Sequence, residues 1–342
     1  MDDVLLVTLL IGIVVPASWG AMALAWRCKG QAMRRRLLVG TWLLATALWL
    51  GMLWVGARLA PVAGMALQMS ILLIWWRQLQ PAADLDWAPD VAHLATGRVD
   101  GDRLTLDHVR CFGWRTRDEA DVAWETRHYS LSQLSSLDMF VSGWGRPGIA
   151  HVLLSFGFSP RAGAELDDTE FVAISVEVRR EKHERFSELG GFFKQYELAV
   201  IAADERDAVR LRSNVRGEKV TLYRVMLSAK DRRELLVALV DEANDLDSTP
   251  RFYHTITANC STIVFSMMRR IIEGLSVDHR LLLTAHLPEY VRDHGGLVPG
   301  VTLAELKRHG DITSRAQAAH SIDDFSRCIR RGVPGWTSRP HV

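Results

Sequence analysis

Cysteine is scarce in this chain of 342 residues, which has only four: Cys28, Cys111, Cys260 and Cys328. None of them forms a CxxC pair or stands at the Cys/His spacing of a zinc site, so we expect no metal and no other cofactor. Cys111 and Cys328 could pair in a periplasmic domain, but nothing in their spacing demands a disulfide. Each thiol therefore has to be explained by its own surroundings.

A large excess of one charge is also lacking, since the formal net charge is +1. Of the 41 Lys and Arg and 40 Asp and Glu residues, seven basic and two acidic residues lie within residues 1–77, which leaves 34 basic and 38 acidic residues in 78–342. This larger part is mildly acidic and has no basic cluster. A nucleic-acid partner is therefore not expected.

Charged residues are absent from three N-terminal runs, which cover residues 4–25, 37–57 and 59–76. Each run is near the length that crosses a bilayer. The first lacks the basic start and the small-residue cleavage site of a signal peptide, and the third ends in two tryptophans, which suit a membrane interface. We predict a membrane anchor over residues 1–77 with two to three transmembrane helices.

The remaining chain predicts a Pro/Ala/Asp-rich linker over residues 78–100 and one domain over residues 101–342. Strand-like runs occur at 103–114, 122–131, 149–158, 170–181, 194–203 and 218–227. Helices are predicted over 204–214, with Asp204 as its N-cap, and over 228–246, with Ser228 as its N-cap. This pattern predicts an α+β fold, a mostly antiparallel sheet with helices packed on it.

The stretch RFYHTITANCSTIVFSMMRRI, residues 251–271, places Cys260 directly before an apolar pattern of helical spacing. A thiol at this position, preceded by Asn259, would feel the positive end of the helix dipole, which favours the thiolate. The alternative is a small buried residue, as free cysteines often are. Spacing alone does not decide between a nucleophile and a structural cysteine.

A cysteine nucleophile needs a base, and His151 is the best candidate because it lies in an apolar strand where an unpartnered imidazole is costly to bury. It could equally be a core histidine bonded to the backbone, and His254 is closer to Cys260 but lies in a loop. Ser175 and Glu177 share one face of the next strand. Glu177 could orient the imidazole or pair with an arginine, and Tyr253 could cover the site or simply pack.

Several segments together resemble the Lnb-type N-terminal periplasmic domain. They include, in chain order, AHVLLSFGF, ISVEVRRE, YELAVIAADERD, LRSNVRGEKVTLYR and FYHTITANCST. Segments before and after them resemble the same family, so the resemblance covers nearly all of residues 88–336. It links the histidine strand and the cysteine helix, which the residue patterns alone had left separate.

The resemblance implies a circularly permuted, papain-like (NlpC-like) thiol enzyme, in which the histidine strand precedes the cysteine helix. Family members of known activity are lipoprotein N-acyltransferases. By this resemblance, Cys260 would take a fatty acyl chain from a membrane phospholipid as a thioester, with His151 as general base and then acid. The acceptor would be the N-terminal amine of a lipoprotein. The residue patterns, rather than the resemblance, add Glu177 to the catalytic set and Ser175, Tyr253 and Asn259 as supporting residues.

Two other functions remain open from the sequence. A thiol hydrolase of amide or ester bonds at the cell envelope would share the chemistry up to the acyl-enzyme and differ only in using water as acceptor. A membrane-tethered binding module without activity would not need Cys260 and His151 together. The chemistry at Cys260 distinguishes the binding module from the enzymes, and the acceptor distinguishes the two enzymes.

The resemblance also implies the bacterial inner membrane, with the domain in the periplasm. The basic loop 27–36 is expected in the cytoplasm by the positive-inside rule. The domain can be periplasmic and the loop cytoplasmic at the same time only if the third apolar run, residues 59–76, is tilted, re-entrant or interfacial. Three true spans are the rival arrangement, and they would place the loop and the domain on the same side.

Overall fold

The computed structural model describes residues 2–28, 32–160 and 166–336. The chain divides into two compact units, one comprising Met1–Ala82 and Phe186–Glu197, the other Ala83–Arg185 and Leu198–Val342. The sequence had suggested a linker over 78–100. In the structure most of that stretch belongs to the second unit and includes its first strand, and a short segment from the middle of the chain belongs to the first unit.

The first unit contains three helices: α1 (Asp2–Arg27), α2 (Ala32–Trp54) and α3 (Leu59–Gln78). All three are long and apolar enough to cross a membrane. Pro61 lies in the first turn of α3, where proline is tolerated, and the helix continues without interruption. It lacks the break that a re-entrant segment has, so the structure does not support a re-entrant third run.

The segment Phe186–Glu197 belongs to this helical unit and lies at the end where α1 and α3 finish. The Arg27 guanidinium donates a hydrogen bond to the Lys194 carbonyl, and Lys194 Nζ donates to the Trp76 carbonyl at 2.9 Å. The loop between α1 and α2, of which residues 29–31 lie outside the described residues, starts from the same end. If all three helices span a membrane, this basic loop is on the same side as the chain that follows α3.

The second unit is built on an eight-stranded sheet. Its strands are β1 (Thr96–Asp100), β2 (Arg103–Arg110), β5 (Trp124–Ser130), β6 (Leu134–Gly143), β7 (His151–Phe158), β8 (Glu170–Arg179), β9 (Glu197–Ala203) and β10 (Lys219–Arg224), while β3 (Gly113–Trp114) and β4 (Ala120–Asp121) form a separate pair. The order is β1-β2-β9-β8-β7-β6-β10, with β5 on β2. β10, β6, β7 and β8 pair antiparallel in succession.

Seven helices accompany the sheet: α4 (Glu205–Arg210), α5 (Ala229–Ser248), α6 (Thr262–Ile271), α7 (Leu287–Asp293), α8 (Leu303–Gly310), α9 (Thr313–Ala318) and α10 (Phe325–Arg330). The two predicted N-caps are confirmed, because the Asp204 side chain accepts from the Arg206 N–H and the Ser228 side chain accepts from the Asp231 N–H. The predicted α+β class, with apolar helices before the domain, is confirmed.

Strand β6 was missed by the sequence patterns, although it lies between β7 and β10 in the sheet. It carries buried polar residues, Ser136, Asp138 and Ser142, which break the alternation expected of a strand. Strand β9 begins at Glu197, three residues after the predicted start, because Lys194 takes a left-handed conformation with φ 52°. Both differences come from residues whose partners lie elsewhere in the chain.

A buried ion cluster fixes α10 to the sheet. The Arg330 side chain is fully buried and pairs with Asp138 of β6 at 2.8 Å and with Glu205 of α4 at 2.6 Å. Trp336 Nε1 donates to the second oxygen of Asp138 at 3.0 Å, and Arg330 stacks on the Phe171 ring at 3.5 Å. Every member of the cluster is paired, so none of its three charges is buried without a partner. Removing one partner from such a cluster is strongly destabilising.

Substituting Arg330→Met should destabilise the domain by about 3–5 kcal/mol, because Asp138 and Glu205 would remain buried without their cation. The matched control is Arg331→Met, at the exposed neighbouring residue, which should change stability by less than about 0.5 kcal/mol. Denaturant unfolding of the full chain in detergent measures both. If both variants lowered the free energy of unfolding equally, the cluster would not stabilise the fold.

Candidate active site

Strands β7 and β8 bring three polar side chains together at one end of the sheet. His151 is the first residue of β7, and Ser175 and Glu177 lie two residues apart on the neighbouring β8. The Nε2 atom of His151 lies 2.7 Å from Ser175 Oγ and 3.0 Å from Glu177 Oε1. Ser175 and Glu177, which the sequence predicts on one face of a strand, therefore contact His151, the predicted base.

These contacts define the proton positions on His151. Ser175 Oγ donates to Glu177 Oε1 at 2.8 Å, so its own lone pairs are free to accept from His151 Nε2–H. Both acceptors lie on the Nε2 side of the ring. The Nδ1 atom is then the nitrogen left to exchange a proton with the thiol, as a general base oriented by a third group requires.

Cys260 lies in a tightly held turn, two residues before α6 begins at Thr262. The Asn259 side-chain oxygen accepts from the backbone N–H groups of Ser261 and Thr262, both at 3.0 Å. Its Nδ2 donates back to the Thr255 carbonyl at 2.7 Å. Asn259 therefore acts as the cap of this turn, and it supports Cys260 by fixing the backbone on either side of it.

The approach loop before Cys260 is shaped by His254 rather than by a flexible connection. Its backbone N–H and C=O both bond to Ala258 at 3.0 Å, and its Nδ1 accepts from the N–H groups of Ile256 and Thr257. Tyr253 is partly buried and packs against the main core. These contacts of His254 and Tyr253 hold the conformation of the loop that leads to Cys260.

The imidazole and the thiol interact, and each changes the pKa of the other. Burial raises the pKa of Cys260, but hydrogen bonding and attraction from His151, together with the Val152 N–H, bring it below its ordinary value. Burial and the Arg212 charge lower the pKa of His151, while Glu177 and Cys260 raise it more, so the net direction is upward. Opposite shifts of this kind favour a thiolate–imidazolium pair.

A second layer of charges holds Glu177 in place. Burial raises its pKa, but the charges of His151 and Arg212 outweigh burial and hold the pKa well below its usual range. Arg212 Nη2 lies 3.1 Å from Glu177 Oε1, and its Nη1 lies 3.4 Å from Glu218. Glu218 in turn accepts from Ser142 Oγ at 2.5 Å, and Ser142 is the cross-strand neighbour of His151.

Sequence reasoning missed Arg212, Glu218 and Ser142. Arg212 lies in the π-helical turn Leu211–Val215, a type of distortion that often occurs at functional sites and that has no clear signature in one sequence. Glu218 follows a glycine with a positive φ of 68°. The only signal for Arg212 and Glu218 was membership of the segment LRSNVRGEKVTLYR, which gives no role to any one residue, and Ser142 lies outside that segment.

An apolar pocket of about 280 Å³ has Cys260 in its wall. It follows one face of α6, with Ser261, Val264, Phe265, Met268 and Ile272 along its length. Side chains of β6, β7, α5 and α7 form the other walls, among them Met139, Leu154, Leu235, Leu287 and Val291. A hydrocarbon chain attached at Cys260 would therefore find an apolar surface beginning at the thiol.

The other cysteines lie in different surroundings, and all four are free, so Cys111 and Cys328 are not paired. Burial raises the pKa of Cys111 to about 12, although Arg127 opposes that shift. Within the described parts of the chain, no group of three or more His, Cys, Asp or Glu side chains could hold a metal ion. A thiol beside an oriented imidazole is an arrangement suited to nucleophilic attack, with the imidazole as proton carrier.

A family model described as the Lnb N-terminal periplasmic domain matches residues 120–292, just over half of the chain. The matched range includes the histidine and carboxylate strands, the Arg212 turn and the cysteine helix. No curated protein and no solved structure matches the chain.

Cys260 should react with iodoacetamide as a thiolate at a lower pH than a free cysteine, whose midpoint is about 8.5. The expectation follows from the attraction of the thiolate by His151. Mass spectrometry of the labelled peptides against pH gives the midpoint, and Cys111 supplies an internal control because its raised pKa should keep it unlabelled. A midpoint at or above that of free cysteine would contradict an activated thiol.

Substituting Glu177→Gln should raise the alkylation midpoint of Cys260, because the effect through His151 exceeds the direct repulsion that the Glu177 charge exerts on the thiolate. Loss of the carboxylate lowers the pKa of His151, so the imidazolium that stabilises the thiolate is lost at lower pH. Glu170→Gln, at the exposed start of the same strand, should leave the midpoint unchanged. If both variants behave like the native protein, Glu177 does not orient His151.

Proposed function

The chain belongs to the Lnb N-terminal periplasmic domain family, and on that premise we propose that it is a thiol acyltransferase. The family and the three helices of spanning length together indicate a membrane-anchored envelope protein with a periplasmic domain. The proposed reaction moves a fatty acyl chain from a phospholipid, through a thioester on Cys260, to the N-terminal amine of a lipoprotein. The inner membrane and a permuted papain-like arrangement are part of the same proposal.

The observation that carries this proposal is the apolar pocket that begins at Cys260. Helix α6, which forms one wall, has 10 residues and is about 15 Å long. A fully extended chain advances about 3.3–3.6 Å for every three bonds, so about a dozen carbons could lie along α6. Burying each methylene contributes about 0.8 kcal/mol, which would favour a long acyl chain over a short one.

In the first half-reaction the Cys260 thiolate attacks the ester carbonyl of the phospholipid. A carbon–sulfur bond forms, the carbon–oxygen bond to the glycerol breaks, and the His151 imidazolium gives its proton to the leaving alkoxide. The products are the acyl-thioester and a lysophospholipid. Glu177 and Ser175 hold the Nε2 side of the ring, so that Nδ1 faces the reacting atoms.

In the second half-reaction the acceptor amine attacks the thioester carbonyl. His151, neutral after the first step, takes the proton that the amine loses as the amide bond forms. The carbon–sulfur bond then breaks and Cys260 leaves as a thiolate beside the imidazolium, which restores the starting pair. Because the starting pair is already a thiolate and an imidazolium, His151 acts as acid in the first half and as base in the second, the reverse of the order that the resemblance implied.

The hydrolase alternative differs only in the acceptor, since water would attack the same thioester. A peptide amide as donor is less well supported, because the pocket at Cys260 is lined mainly by aliphatic, aromatic and methionine side chains. An acyl ester donor fits that lining. Transfer and hydrolysis are distinguished by adding an amine acceptor to acylated protein and measuring how much acyl chain becomes amide and how much becomes free acid.

Protein purified from membranes should carry a fatty acyl adduct on Cys260 in part of the population. Intact-mass analysis detects the adduct, hydroxylamine should remove it as expected for a thioester, and Cys260→Ser should lack the hydroxylamine-sensitive adduct. Preparations from phospholipid-containing membranes in which the thiol is always unmodified, even after incubation with phospholipid, would argue against acyl transfer.

The pocket can be tested separately from the thiol. Val264→Trp fills part of the pocket wall and should lower the acylated fraction about tenfold, a free-energy difference of about 1.4 kcal/mol, while iodoacetamide labelling of Cys260 continues. Ser266→Trp, at an exposed position of the same helix, is the matched control and should keep the native acylated fraction. Equal acylation of both variants would exclude the pocket as the acyl site.

A further inference from the structure

The helical unit concentrates basic residues at one of its two ends. At the end where α1 and α3 finish and α2 begins lie Arg27, Arg34, Arg35, Arg36, Arg77 and Lys194, which we name the basic collar. Two acidic residues, Glu188 and Glu197, belong to the same segment as Lys194. The opposite end begins with Asp2 and Asp3 and has Arg58 as the basic residue between α2 and α3.

Aromatic side chains place the basic collar at the level of lipid headgroups. Phe193 stacks on Trp26 with nearly parallel rings, at 6.5 Å and 3°, and meets Trp76 edge-on. Lys194 Nζ lies 5.2 Å from the centre of the Trp76 ring. Tryptophan is enriched where a membrane meets water, so the collar and this aromatic group mark the same interface.

The position of the collar conflicts with the usual charge bias of membrane insertion. The positive-inside rule would place it in the cytoplasm, but the chain leaves α3 at this end and continues into a periplasmic domain. With three spanning helices the collar is therefore on the disfavoured side. Six basic residues on the side that the positive-inside rule disfavours suggest that the collar has a function at the periplasmic surface.

We propose that the basic collar binds the phosphate groups of anionic phospholipids in the outer leaflet of this membrane. Arg34, Arg35 and Arg36 are exposed in the first turn of α2, where their guanidinium groups can reach the headgroup layer. Arginine is suited to phosphate because its planar fork donates two parallel hydrogen bonds. Clusters of four to eight such cations beside a transmembrane helix are typical of segments that bind anionic lipid headgroups.

The three exposed arginines can be removed without touching the aromatic contacts. The full chain in mild detergent is mixed with equal amounts of phosphatidylglycerol and phosphatidylcholine of identical acyl chains, and native mass spectrometry counts the lipids retained. The native protein should retain more of the anionic lipid. The triple variant Arg34→Gln, Arg35→Gln, Arg36→Gln should lower that preference about a hundredfold, since each of the three cations contributes about fivefold.

Matched controls distinguish lipid binding by the collar from an effect of the total positive charge of the protein. Arg58→Gln, at the opposite end of the helices, should keep the native preference, and Cys260→Ser should keep it too, because lipid retention does not depend on the chemistry proposed for the thiol. Excess inorganic phosphate should not displace the lipid. The proposal is overturned if the native protein shows no preference, if Arg58→Gln loses as much as the triple variant, or if free phosphate alone competes.

The side of the membrane is tested directly with a reporter fused after residue 342 that is active only in the periplasm. Activity of this reporter would support a collar on the periplasmic side, which the positive-inside rule disfavours. Activity of a cytoplasmic reporter instead would show that the collar obeys the positive-inside rule, and it would overturn the assignment to the outer leaflet.

Discussion

The candidate site depends on one partly buried carboxylate, Glu177, and on the cations that keep it ionised. A carboxylate in this position would be costly without partners, and Arg212 and His151 both contact the same oxygen. That oxygen bonds to the ring of His151, and attraction from the ring lowers the pKa of Cys260. The pKa shift of the thiol therefore depends on β8, the turn that carries Arg212 and the cysteine helix coming together.

Much of this architecture follows from local patterns in the sequence. The apolar runs, the N-caps Asp204 and Ser228, and the antiparallel character of the sheet are properties of short segments, and period and capping indicate them. The candidate residues His151, Ser175, Glu177 and Cys260 also came from the sequence, because strand alternation and the start of a helix constrain where side chains point. The structure brings these four together, and their catalytic roles remain predictions.

What the sequence could not indicate is set by partners distant along the chain. Strand β6 contains Asp138, a residue unfavourable in strands, and it is acceptable there only because Arg330 lies beside it in the folded domain. Arg212 lies in a distorted turn, and the charge that gives it a role is 35 positions away. The apolar pocket is assembled from several elements, none of which carries a signal for a cavity.

The Arg330 cluster also bears on the order in which the domain folds. Asp138 and Arg330 are separated by 192 positions, so β6 cannot pair its buried acid until both distant segments have come together. Contacts of such long range form late and slow folding. Until that contact has formed, β6 would be held only loosely, and with it Ser142, the cross-strand neighbour of His151. The order of folding would therefore also determine when His151 and Cys260 come into contact.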